Sequence, residues 1–447
     1  LKPTLPKGTR DFLPSDIKKR DYIFSIIKEQ FNIFGYDAIE TPAMESLDTL
    51  SGNYGEEGDR LLFKVLNNGD YLKDVPADLL AEKLSNKVTG QISKRGLRYD
   101  LTVPFARFLV MNRQHIKFPF KRSAIQPVWR ADKPQRGRYQ EFYQCDADVA
   151  GSDSLIYEAE LICLYDVVFK ELGLPVDIRW NNRKILSGIV ETAGLEDHFN
   201  MITIIIDKLD KIGEEGVKRE LIAKDFPADS VDRLLYLITL NELAQLESEM
   251  KSETGLSGIS ELKTVLSFLK NKKLANSLIF DPKLARGLSY YTGCIFEVVA
   301  KDANMGSIGG GGRYDNLTSV FGLNDVSGVG ISFGVERIYD VMEEKSLFPD
   351  SFSRYKNLLI ACIEDESFDY ASELLFRIRD EKIPADIYPK TSKLQKQMSY
   401  ANEAGYAYVA VIGGSEKNSS TVTLKDMDSG KQQTISYSEM VKIICKK

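Results

Sequence analysis

Histidine, tryptophan and cysteine are scarce in this chain: 447 residues carry two histidines, two tryptophans and five cysteines. With only His115 and His198, a histidine-rich metal centre or a serine–histidine–aspartate triad has little material to draw on. The cysteines, Cys145, Cys163, Cys294, Cys362 and Cys445, lie far apart and form no Cys-x-x-Cys pair. That argues against a structural zinc site and a disulfide framework, and it fits a reducing compartment. Long apolar runs are missing too. The longest, near 202–206, falls far short of the roughly 20 residues a bilayer span needs. Pro3, Pro6 and Pro14 interrupt the first residues, which have no apolar signal core, so a soluble cytoplasmic protein is expected. Positive charge is in deficit, 59 Lys and Arg against 65 Asp and Glu. A net charge of −6 speaks against gripping nucleic acid by bulk charge, although a local patch can hide in the average.

What is present is ample core material. A hydrophobic fraction of 43% excludes a disordered chain, and the length predicts about three domains. Ile23, Ile26, Ile27, Phe31 and Phe34 recur at helical spacing and predict a helix over 16–34, stopped by Gly35. The glycine- and acid-rich stretch 51–60 reads as a loop, and 61–149 reads as sheet. A second helix follows Asp153 and Ser154 to about Leu172. Residues 176–281 are rich in Leu, Ile, Lys and Glu at helical spacing and read as a mainly helical insertion. A linker over 345–356 carries Pro349 and Ser351. Beyond it, strand-like and helix-like runs alternate and predict a small α/β domain with a largely parallel sheet.

Chemistry-bearing residues cluster in four places. Over 97–103, read as a strand, Arg98, Asp100 and Thr102 share one side, and Asp100 with Thr102 offers acceptors for a small ammonium group. A half-exposed edge strand explains the same alternation without any ligand. Between Arg113 and Arg138 the basic residues are Arg113, Lys117, Lys121, Arg122, Arg130, Lys133, Arg136 and Arg138, against the single acid Asp132. A hairpin with Pro134 and Gly137 near its tip aims several arginines at one point, the side chain suited to bidentate phosphate or carboxylate recognition. Just beyond, Gln144, Asp146 and Asp148 share one strand face opposite Cys145, Ala147 and Val149. The segments Arg286-Gly287-Leu288-Ser289-Tyr290-Tyr291 and Gly309-Gly310-Gly311-Gly312-Arg313-Tyr314-Asp315 come next. The glycines permit close backbone approach but match neither a Walker loop nor a dinucleotide fingerprint. Finally, 328–338 reads as a glycine-lined strand entering a helix, with Arg337 in its first turns.

These segments, in this order, resemble the histidyl-tRNA synthetase family of class II aminoacyl-tRNA synthetases. The resemblance includes the opening Lys7-Gly8-Thr9-Arg10-Asp11, the hairpin ending Tyr143-Gln144, the Arg286 to Tyr291 element, Gly311-Gly312-Arg313-Tyr314-Asp315 and the segment from Gly334 to Arg337. It implies an α+β catalytic domain on an antiparallel sheet (1–175 and 282–344), the helical insertion (176–281), the linker, and an α/β anticodon-binding domain (357–447). It implies activation of L-histidine with ATP and Mg²⁺ to histidyl-adenylate, transfer to the 3′ end of tRNA, and a homodimer. By resemblance, Asp100 and Thr102 hold the α-amino group, and Arg130 grips the carboxylate and the α-phosphate. Gln144 contacts the amino acid near its reacting end. Asp148 and Tyr291 read the imidazole, with Tyr314 lining the same pocket. Arg286 sits by the α-phosphate, and Arg337 packs on the adenine side and binds the γ-phosphate. Ser289 stands where the family usually has Asp, which touches the neighbourhood of Tyr291 rather than a catalytic group. The other reading is a synthetase-like regulatory protein without aminoacylation activity, such as the histidine-biosynthesis regulatory subunit.

Overall fold

Ile23, Ile27 and Phe31 lie on one face of the first helix, Pro14–Ile33, and bury it. Gly35, at φ +74°, turns the chain out of it. The computed structural model describes residues 2–52, 55–285, 290–349 and 356–445, without the side chains of 55–57 and 210. Along the chain come β1 (Asp37–Ala38), the short β2 (Met44–Ser46), β3 (Lys64–Val65) and β4 (Arg95–Leu97), then the long β5 (Phe120–Trp129) and β6 (Glu141–Ala150). They are followed by β7 (Val176–Asn182), β8 (Ser277–Phe280), β9 (Cys294–Ala300), β10 (Gly309–Tyr314) and β11 (Gly328–Gly334). The last five are β12 (Lys356–Cys362), β13 (Ala385–Ile387), β14 (Tyr406–Ile412), β15 (Thr421–Asp426) and β16 (Gln432–Ser436).

The chain divides into two compact units: Leu1–Asp11 with Arg20–Leu347, and Phe12–Lys19 with Phe348–Lys447. In the first, eight strands form one sheet in the order β1-β5-β6-β11-β10-β9-β7-β8. Every pairing is antiparallel except at the two edges, β1 on β5 and β8 on β7. One face is covered by the helix Ile156–Glu171. Its Tyr165 ring lies 4.9 Å from Phe333 of β11, and its hydroxyl is 3.0 Å from the carbonyl oxygens of both Gly310 and Ser332. Covering one face leaves the other to carry polar side chains, so β6 alternates buried Cys145, Ala147 and Val149 with Gln144, Asp146 and Asp148.

Two expectations are corrected here. The stretch 61–149 is not sheet throughout: helices Ala77–Ala81, Ser85–Ile92 and Thr102–Met111 interrupt it. The strand expected over 97–103 ends at Leu97, where β4 ends, and Thr102 is the first residue of a helix. Arg98 therefore shares no face with Asp100; it is buried and donates to the carbonyls of Pro127 and Thr41 at 2.8 and 2.6 Å. Period-2 alternation in a short polar stretch cannot tell a strand from an extended turn entering a helix.

Helices fill most of 183–269, within the region read as an insertion, one of them broken at Gly213, and both flanks, β7 and β8, are strands of the main sheet. Gly188 and Gly255 let two of these helices touch, since a Cβ on Gly188 would lie 2.3 Å from the Gly255 Cα. In the second unit, β13, β12 and β14 are parallel, and β15 and β16 add antiparallel. That sheet is mixed, not largely parallel. Leu358 and Ile360 pack with the helix Phe368–Asp380, while Leu359 and Ala361 face Ala401 of the helix Leu394–Glu403. Burial on both faces is why β12 reads as an unbroken apolar run.

Candidate active site

The polar face of the large sheet forms the floor of a cleft of about 280 Å³. Strand register decides who meets whom. Across β5 and β6, Arg122 sits opposite Asp148; across β6 and β11, Asp148 sits opposite Gly330, Asp146 opposite Ser332, and Gln144 opposite Gly334. The Arg122 Nη2 lies 2.8 Å from Asp148 Oδ2 and 3.8 Å from Asp146 Oδ2, and its guanidinium sits 4.5 Å over the Phe105 ring. Arg122 is 0% exposed, and Asp146 and Asp148 are 2% exposed each. The hydroxyl of Tyr314, from β10, donates to Asp148 Oδ1 at 2.7 Å. Asp148 is thus held by a cation on one oxygen and a phenol on the other. Glycine at 330 is what allows this arrangement, because a Cβ there would stand 2.0 Å from Asp148 Oδ1.

Two carboxylates share one guanidinium, and burial dominates their electrostatics. Desolvation pushes the Asp146 carboxyl up to about 7; the pull of Arg122 only partly offsets it, and the neighbouring Asp148 adds to it. Asp148 is raised as well, by burial first, against Arg122 and the Tyr314 hydrogen bond. Burial likewise keeps the Tyr291 and Tyr314 phenols protonated, with Asp148 next in effect on both. Tyr291 stacks edge-on to Tyr290 at 4.9 Å, and Tyr290 in turn donates to Asp100 Oδ2 at 3.3 Å.

Asp100 also accepts from the backbone N–H of Val103 at 3.2 Å, satisfying one donor of the helix that starts at Thr102. Asp100 and Thr102 both line the cleft. Gln144 lines it too, its amide nitrogen donating to the Ser332 hydroxyl at 2.8 Å, so the amide oxygen is the group left for a ligand. Arg130 follows β5 into the hairpin, donates through Nε to Tyr99 O at 3.1 Å, and lies 4.3 Å over the Tyr99 ring. Arg138 and Tyr139, from the far side of the hairpin, also line the cleft. The tip is tied down from the helix Val335–Glu344: Arg337 donates to Gly137 O and to Ser307 O, both at 2.6 Å.

One cleft therefore gathers Asp100, Thr102, Arg130, Gln144, Asp148, Tyr291, Tyr314 and Arg337. Arg286 lies outside the described residues, as does Ser289. The sequence reading missed Arg122, counted among the hairpin cations; only the β5–β6 register turns it under Asp148. It missed also the buried set that fixes Tyr314. Arg313 is clamped on both oxygens of Glu158 (2.5 and 2.8 Å) and donates to Ser327 Oγ, which donates to Asp315. Thr292 donates to the other oxygen of Asp315 at 2.5 Å, joining the Tyr291 segment to it. No sequence signal couples Glu158 to Arg313, 155 residues away.

A family model described as Histidyl-tRNA synthetase matches residues 77–338, and one described as Anticodon binding domain matches 357–447. The chain is similar to the histidine–tRNA ligase of Porphyromonas gingivalis, 52% identical over 440 residues and covering 97% of each chain. It is 48% identical over 449 residues to the histidine–tRNA ligase of Phocaeicola vulgatus, covering 99% of each. The crystal structure of histidyl-tRNA synthetase from Nostoc sp. PCC 7120 aligns with a TM-score of 0.82 at 25% identity, over 100% of this chain and 99% of that one.

Proposed function

This chain belongs to the histidyl-tRNA synthetase family, and from that premise we propose how its cleft ligates histidine to tRNA at the expense of ATP. The observation that carries the reading is a buried acceptor for an imidazole N–H, Asp148, built beside an arginine hairpin in a single cleft. With Tyr314 and Arg122 holding Asp148 in place, its carboxylate keeps lone pairs for a ring N–H, while the protonated Tyr291 hydroxyl serves the other ring nitrogen. An analogue without those nitrogens leaves buried polar groups unpaired, which is the strong form of discrimination. Asp100, Thr102 and the Gln144 amide oxygen take the α-ammonium end of the amino acid.

The histidine carboxylate then attacks the α-phosphorus in line, pyrophosphate leaves, and histidyl-adenylate forms. Negative charge grows on the non-bridging oxygens, where Arg130, already held against Tyr99, is a fixed cation and Arg286 supplies a second positive charge. Arg337 takes the γ-phosphate end. In the second step the 3′-hydroxyl of the terminal adenosine attacks the carbonyl carbon and AMP leaves. No group of three or more metal-ligating side chains occurs among the described residues. Mg²⁺ would enter with the nucleotide, and Glu297, a buried carboxylate on the lining, is of the right chemistry to help hold it. When bound, the ion would supply positive charge to the leaving pyrophosphate.

The region 357–447 engages the anticodon, the working form is a homodimer, and the compartment is the cytoplasm. Five free cysteines support a reducing environment, and no helix among the described residues is long and apolar enough to cross a membrane. Relatives bearing the ligase name over nearly the whole chain favour the catalytic reading over the regulatory one. The test is ATP–pyrophosphate exchange by the full chain with each of the twenty amino acids. Exchange with histidine alone is expected; exchange with none would leave the regulatory reading standing.

A further inference from the structure

The opening motif from Lys7 to Asp11 has no part in the chemistry above, yet it lies against the arginine hairpin. Gly8, at φ +81°, accepts from the backbone N–H of Gln140 at 2.8 Å, and a Cβ on it would stand 2.6 Å from the Gln140 side chain and 3.1 Å from Pro134. Two residues on, Arg10 closes a three-member ring. Its Nη1 donates to the Tyr139 hydroxyl at 3.0 Å and to Asp340 Oδ1 at 3.2 Å, and the Tyr139 hydroxyl donates to Asp340 Oδ2 at 2.8 Å. The guanidinium also lies 4.1 Å over the Tyr139 ring and 5.7 Å from the Tyr339 ring. These members come from three places in the chain: the N-terminal segment, the hairpin, and the helix Val335–Glu344, which also carries Arg337.

We propose that Arg10 is a positioning residue for ATP: it locks the returning limb of the arginine hairpin to the helix that presents Arg337, and so sets the spacing of the cations that grip the nucleotide. Tyr139 lines the cleft and Arg10 does not, so the effect passes through the hairpin rather than by contact with substrate. Arg337 binds the hairpin tip at Gly137, Asp340 binds Tyr139 two residues later, and Glu344 pairs with Arg136, so one helix holds the loop at three points. The histidine end, built on β6, β10 and β11, has no member in this ring. Burial and the hydrogen bond to Asp340 push the Tyr139 phenol up to about 12, so the ring keeps its proton across the working range.

The proposal rests on the ATP-dependent reading of the cleft and predicts a split between the two substrates. In the full chain, Arg10→Ala raises the KM for ATP in pyrophosphate exchange about tenfold, with the KM for histidine within about twofold. Tyr139→Phe, which keeps the ring and deletes the hydroxyl, moves the same parameter in the same direction by less. Arg10→Lys keeps charge without the planar fork and recovers only part of the loss. An unchanged KM for ATP in Arg10→Ala, or an equal rise for both substrates, would overturn it. Calorimetric titration of ATP into the full-length wild type and variants gives the same comparison without histidine. Absent exchange by the wild type would therefore sink the reading of function, while unaltered ATP affinity in Arg10→Ala would sink the strap.

Discussion

Asp146 is the residue whose state the fold changes most. A carboxyl of ordinary pKa near 4 is carried to about 7 because it is buried beside Asp148 with only a distant share of Arg122. The folded pKa exceeds the unfolded one, so the folded state binds the extra proton, and stability falls as pH rises across that interval. Asp146→Asn resembles the protonated form. We expect the variant to melt at a higher temperature than wild type at pH 8 and the gain to be clearly smaller at pH 5, read by calorimetry of the ligand-free protein. A gain of equal size at both pH values would show that Asp146 is ionised throughout. The sequence places Asp146 on the cleft face by alternation alone. Its charge state needed Arg122, which sequence counting groups with phosphate-facing cations and strand register turns inward.

At the scale of elements, the glycine-rich strands are the informative case. Read as sequence, the run from Gly309 to Gly312 is as consistent with a turn as with close approach to a ligand; in the fold it is β10, flat in the sheet between β9 and β11. Gly312 lets the Tyr291 ring lie against it, since a Cβ would sit 2.8 Å from that ring, and Gly330 does the same for Asp148. Gly330→Ala must displace the Asp148 carboxylate. It is expected to raise the KM for histidine about a hundredfold, with a much smaller effect on the KM for ATP, both measured by pyrophosphate exchange. A wild-type KM for histidine would remove Asp148 from the imidazole subsite. The strand expected over 97–103 failed for a related reason. Asp100 is where it is because its carboxylate takes a helix N–H, a local bond that alternation cannot reveal.

For the whole molecule, net charge was the least informative number. A chain of net charge −6 places Arg130, Arg138 and Arg337 on a single cleft that also carries Asp100, Asp146 and Asp148, so local placement and not the sum decides what each part of the cleft can bind. The division into two compact units leaves every described cleft residue in the first. Removing 357–447 is therefore expected to spare histidine-dependent pyrophosphate exchange and to lower tRNA charging about a hundredfold or more, because one of two linked binding sites is lost. Normal charging by the truncated chain would end the anticodon role of that region. The sequence by itself determined the family, the helix and strand periodicities, the α/β character of the C-terminal region and the residue types at the site, since these follow from spacing and side-chain chemistry along the chain. Only the tertiary structure decided that Arg122 lies beneath Asp148, that Glu158 clamps Arg313, that the helical segment is bracketed by strands of the main sheet, and that Arg10 reaches Asp340. The first and third follow from strand order and register, the others from side chains that helix packing and chain path bring together, and all join residues far apart in sequence that no local pattern pairs.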